Sequence, residues 1–149
     1  LGLVNEYRID SLVLAFEQAI QLKAVRAPIS RQERYVLAIE ALEREVNNGG
    51  YSQFFLNSSH EFVDTIEEAL KAIGCPKTGL ITRDAIAALN ITGSVNGKKA
   101  EEVILTDDQA ILDTLSAIDS RYYSTNEAIA ERLFAWISEN QALIRLGND

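Results

Sequence analysis

The chain has 149 residues, 47% of them hydrophobic, and a formal net charge of −8 from 22 acidic and 14 basic side chains. That length fits one ordinary domain, and the hydrophobic content supplies its core, which excludes a wholly disordered chain. The acidic balance repels nucleic-acid phosphates and anionic lipid, so direct nucleic-acid binding and membrane association are not expected and charged partners should be basic. Solubility alone is the plainer account of the same charge. No apolar run reaches the roughly 18 residues of a membrane span. No basic segment followed by an apolar stretch opens the chain, so no secretion signal is expected. A chain that starts at Leu1 and contains no Met leaves open whether residues precede it. A single Cys excludes an internal disulfide and a multi-cysteine metal site, and a reduced, cytoplasmic setting is the simplest expectation.

The elements follow in chain order. A first helix is expected over 5–23 and a second over 31–48, announced by Ser30 and Glu33 in capping-box spacing. Gly49 follows it as a stop. A short helical turn is expected near 51–57. Ser58 and Glu61 repeat the box ahead of a helix over 59–73, which Gly74 closes, and Pro76 lies where that helix cannot continue. A helix over 79–90 comes next. The stretch 91–105 carries Asn96-Gly97 between flanks that alternate poorly, and reads as a mobile loop. Thr106 with Gln109 starts a helix over 107–119, and Ser124 with Glu127 starts one over 125–145. Apolar stripes at helical spacing support these assignments, and no long segment alternates with period two. The fold class is therefore all-α, a single compact domain of six or seven helices. Its expected core includes Ile39, Leu42, Val46, Phe54, Phe55, Phe62, Ile66, Leu70, Leu115, Leu133, Trp136 and Ile137.

Catalytic signatures are missing. There is no phosphate-binding loop, GxGxxG, HExxH, GxSxG or CxxC. His60, the lone histidine, falls inside a capping box and reads as a surface residue of a first turn. Cys75, just past a helix C-terminus, reads as a structural thiol, because the negative helix end does not lower its pKa. No metal or cofactor is implied, and no catalytic constellation marks the chain as an enzyme.

The most distinctive segment runs from Asn47 and Asn48 through Gly49 and Gly50 to Tyr51, Gln53, Phe54, Phe55 and Asn57. Gln53 and Asn57 are four apart and share a helical face. An amide both donates and accepts, so these groups suit a buried corner tying two helix ends together. They equally suit a small polar pocket for a ligand, or an enzymatic site. The structural corner is the favoured reading.

The run EREVNNGGYSQFFLNSS also resembles the hallmark of a bacterial DNA-mimic-protein-like family of unknown function, roughly N-N-G-G-aromatic-x-Q-aromatic-aromatic-x-N. Asn47, Asn48, Gly49, Gly50, Tyr51, Gln53, Phe54, Phe55 and Asn57 match it position by position. Looser similarity extends over about residues 31–140. The resemblance implies a helical fold and an acidic surface that occupies the DNA-binding face of a transcriptional regulator.

Two acid-rich segments are the candidates for that surface. Glu61, Asp64, Glu67 and Glu68 fall opposite the apolar stripe of their helix, with Lys71 able to pair with Glu67 or Glu68. Asp107, Asp108 and Asp113 lie in the second segment, where Asp107 and Asp108 also suit a helix first turn. Each segment alone is compatible with an ordinary solvated face. The leading expectation is a non-enzymatic acidic protein bound to a basic protein surface, plausibly a DNA-binding regulator. The alternative is a small-ligand or enzymatic domain using Asn48, Gln53 and Asn57. A module of a toxin–immunity or stress system is a third.

Overall fold

A computed structural model describes residues 2–57 and 61–144, with side chains from residue 9 onward. Its described residues form seven helices and no strand: α1 Gly2–Ala24, α2 Arg31–Leu56, α3 Ile66–Ala72, α4 Pro76–Ala87, α5 Gly97–Leu105, α6 Gln109–Ser124 and α7 Ile129–Glu139. A 3-10 turn, Gln141–Leu143, follows α7. None of the described helices is long and apolar enough to cross a membrane. The arrangement is compact and all-α, as the periodicity predicts.

α2 is the central element, and α1, α3, α5 and α6 all pack against it. Its start obeys the local rule. Glu33 N–H donates to Ser30 Oγ at 3.0 Å, and Ser30 N–H donates to Glu33 at 2.8 Å, completing the box. Glu33 is buried and also receives Lys23 Nζ of α1 at 2.8 Å, so one carboxylate caps α2 and anchors α1. A second tie is Arg44 with buried Glu17 at 3.1 Å. α1 also lies against α7.

The expected core is buried throughout except for Trp136, which is half-buried with its ring 5.9 Å from that of Tyr35. Tyr51, Phe54 and Phe55 are fully buried on one face of α2. Each side chain of that size contributes about 1.5–3 kcal/mol by leaving water.

Several local expectations give way to tertiary contacts. The stop at Gly49 is a kink rather than an end: Gly49 (φ −157°, ψ 19°) and Gly50 (φ 78°, ψ −177°) break the helical path, and the chain resumes as a helix to Leu56. α3 starts at Ile66, not 59. Arg34 donates to Glu61 O at 3.0 Å and Thr65 Oγ1 at 3.2 Å, and its guanidinium lies 5.2 Å from the Phe62 ring centroid, holding 61–65 in turns. Ser58, the first half of the proposed box with Glu61, and His60 lie outside the described residues. α4 begins at Pro76 because Glu127 accepts from the N–H groups of Lys77 (3.1 Å) and Thr78 (2.6 Å). Glu127 therefore caps α4 and forms no box with Ser124, which ends α6; α7 starts at Ile129.

The loop reading of 91–105 is wrong for its second half. Asn96 accepts from Lys99 N–H at 2.9 Å and caps α5, whose Ala100 is buried with Val103 and Ile104 packed on the core. The turn-like Asn96-Gly97 pair is a helix start. Thr106 instead caps the C-terminal end of α5, its hydroxyl donating to Val103 O at 2.6 Å. The cap of α6 is Asp108, which accepts from Ala110 N–H at 3.0 Å and Ile111 N–H at 3.2 Å.

Candidate functional site

The kink in α2 organises the amide segment. Along an unbroken helix, residues eight apart are about 12 Å apart in rise. Here Glu45 accepts from Gln53 Nε2 at 2.7 Å and from Asn57 Nδ2 at 2.7 Å. The break at Gly49 and Gly50 folds the second segment back far enough to close this clamp. A Cβ at Gly49 would overlap the Gln53 amide oxygen. A Cβ at Gly50 would overlap the Asp119 carboxylate, which accepts from Tyr51 N–H at 2.8 Å and ties α6 to the kink. Asn47 donates to Glu43 O at 2.7 Å, one turn back. Asn47, Gln53 and Asn57 thus form hydrogen bonds within the fold.

Their burial does not follow that reading. Asn47, Asn48, Gly49 and Asn57 are exposed, Gln53 is half-buried, and Gly50 alone of the six is buried. The inward face of this segment belongs to Tyr51, Phe54 and Phe55, so Gln53 and Asn57 face outward. They border an open cleft of about 520 Å³ whose other walls include Leu56, Leu105, Asp107 and Leu112.

The acidic candidates divide by their partners. Glu61, Asp64 and Glu68 are exposed; Glu67 is half-buried. Asp64 lies 3.7 Å from Arg34, and Glu67 accepts from Arg83 Nε of α4 at 2.8 Å. Arg83, rather than Lys71, is the cation bonded to Glu67. Burial, followed by the nearby Glu68 carboxylate, pushes the Tyr35 phenol up to about 12. Asp107, Asp108 and Asp113 are all exposed. Asp108 is engaged as a cap, and Asp113 accepts from Gln109 at 2.8 Å. Asp107 sits in the left-handed region, φ 58°, between α5 and α6. No ion pair or hydrogen bond among the described residues joins the two acidic segments.

Sequence reasoning missed a third acidic group, brought together by the packing of α1 on α2. Burial, followed by the charges of Glu17 and Glu43, pushes Glu40 up to about 7. Burial also raises Glu43, although the Tyr122 hydroxyl and Asn47 bond to it. Asp119 is raised by burial against the Tyr51 N–H that stabilises it. Helical spacing alone could not reveal this group, because Asp10 and Glu17 come from a different helix.

Cys75 is buried, and its thiol is pushed up to about 11 by burial and then by Glu127. That is the inert behaviour expected of it. Among the described residues no three His, Cys, Asp or Glu side chains converge as metal ligands.

A family model described as DMP19-like protein matches residues 27–140. The match begins just ahead of α2 and takes in the kink, the clamp and both acidic segments, while α1 lies before it. No curated protein matches the chain, and no solved structure matches it.

Proposed function

The chain belongs to the DMP19-like family, and from that premise we propose that it is an acidic binding protein that occupies the basic, DNA-binding face of a transcriptional regulator. The observation carrying this reading is the coincidence of family membership with exposed carboxylates on two separate segments. Glu61, Asp64 and Glu68 supply charge before and on α3, and Asp107, Asp108 and Asp113 supply it around the start of α6. Such carboxylates stand in for phosphates through charge density rather than by copying each position. Glu67 contributes least, because Arg83 already neutralises it. The protein works without chemistry of its own, in the cytoplasm, and touches neither nucleic acid nor membrane directly.

The test is capture on the immobilised protein at low salt, elution with rising salt, and challenge with duplex DNA. A DNA-binding protein that duplex DNA releases supports the proposal, since both ligands then use one basic face. Capture of no basic protein, or of one indifferent to salt and DNA, overturns it and leaves the acidic surface as solvation. A second reading is a small-ligand or enzymatic site at Asn48, Gln53 and Asn57, favoured by the open cleft beside the last two.

A further inference from the structure

We infer that the cleft between the second segment of α2 and the α5–α6 corner receives an arginine side chain of the protein partner. The inference rests on the reading of this chain as a binder of basic protein surfaces, and adds where one basic side chain enters.

The chemistry of the walls selects the occupant. Glu45 can only accept hydrogen bonds, so it draws the donor nitrogens of Gln53 and Asn57 toward itself. What each amide has left to offer is one N–H and its carbonyl oxygen, and the oxygens have no partner among the described residues. Gln53 Oε1 lies over Gly49, on the cleft wall, where the missing Cβ leaves room for it. Asp107 adds an exposed carboxylate, held there by its left-handed backbone and free of any hydrogen bond or ion pair among the described residues. No Lys or Arg lines the cleft. The walls therefore present acceptors and negative charge, with donors limited to the Ser52 hydroxyl and the second N–H of each amide.

The floor narrows the choice further. Leu56 and Leu105 stay 38% and 64% exposed, and Ile104 and Leu112 complete an apolar base. A purely apolar ligand would cover this base but leave the acceptors without donors. An anion would meet Asp107 with no compensating cation. A guanidinium satisfies both surfaces. It carries five donors and no acceptor, is weakly hydrated, and sits on three methylenes that can lie along the leucines. Lysine has the charge but is a compact, strongly hydrated ion, less suited to several acceptors spread over an apolar base.

The test uses N-acetyl-arginine amide as the probe, followed through the backbone amide resonances of the whole protein. The expected result is saturable shifts at Gly49, Ser52 and Leu105. N-acetyl-citrulline amide, of the same shape but uncharged, should bind at least tenfold more weakly. Asp107→Asn keeps a residue that tolerates positive φ and should weaken the arginine probe at least fivefold. Leu105→Lys, at an exposed position, should block it. Equal response to citrulline, no response at all, shifts centred on Glu61, Asp64 and Glu68, or an unchanged Asp107→Asn protein would each overturn the inference. Failure of the parent reading looks different: the captured partner then ignores duplex DNA, whatever the probe does. The cleft alone fails if DNA still competes while both variants hold the partner as tightly as the wild type.

Discussion

Replacing Gly50 with alanine removes no side chain, yet two structural terms oppose it. Gly50 sits at φ 78° and ψ −177°, a region that costs a residue with a Cβ about 1–3 kcal/mol. The added Cβ would also overlap the Asp119 carboxylate. Asp119 must then leave the Tyr51 N–H at 2.8 Å, and a hydrogen bond to a charged group contributes about 1.5–3 kcal/mol. Together these give a destabilisation of about 2.5–6 kcal/mol, against a total of about 5–15 kcal/mol for an ordinary domain. Urea unfolding followed by helical circular dichroism measures it: the midpoint should fall with little change in slope. Gly49→Ala is the control. Its φ of −157° adds no left-handed strain, but the added Cβ displaces Gln53 and breaks its hydrogen bond to Glu45, so about 1.5–3 kcal/mol is expected, less than at Gly50. In a double-mutant cycle, Asp119→Ala should cost less in the Gly50→Ala background than in the wild type. A Gly50→Ala protein within about 1 kcal/mol of the wild type would refute the role given to the kink.

Three further predictions concern titrating groups. Burial opposes ionisation of Glu127, but the N–H and hydroxyl of Thr78, the N–H of Lys77 and the charge of Arg132 outweigh it and hold its carboxyl below the ordinary range. Its stabilisation is therefore present above the unfolded value and lost as pH falls through the folded one. Glu127→Gln should cost about 1–2 kcal/mol at pH 7 and almost nothing in strong acid, measured by urea midpoints across pH. Glu40 has the opposite sign. Its folded pKa is raised from 4.5 to about 7, so the stability it contributes is complete below the unfolded value and is lost as pH rises through that window. Glu40→Gln should flatten the decline between pH 5 and 8, and an unchanged slope would contradict the assignment. Cys75, buried with its thiol near 11, should resist iodoacetamide at pH 8 until urea unfolds the chain; native-state labelling at the rate of a free thiol would contradict this.

Local patterns were readable where the partners of a group lie within one turn. Ser30 and Glu33 form the box their spacing announces, and Gly74 adopts the positive φ of a helix end. The same reasoning misassigned Glu127, because its carboxylate serves helix α4, 49 residues away, rather than its own neighbour Ser124. Helix α5 was hidden because Asn96-Gly97 is as good a turn signal as a cap, and only packing on α2 decides between them. At the candidate site, the amides of Gln53 and Asn57 stood out in the sequence, but Glu45 did not. Eight and twelve residues are not helical-neighbour spacings, and the pairing exists only because Gly49 and Gly50 turn the chain. The aromatic face of Tyr51, Phe54 and Phe55 was legible as core; that it would turn the amides outward toward solvent was the unread consequence.

The most direct test of the central claim is the affinity of the captured regulator for the wild type and for a Glu61→Gln, Asp64→Asn, Asp113→Asn variant, measured across salt with and without duplex DNA. The account predicts affinity that falls steeply between about 50 and 200 mM salt, is abolished by competing DNA, and is weakened at low salt in the neutralised variant. Equal affinity of the two proteins at every salt concentration, or a complex that duplex DNA leaves intact, would contradict it.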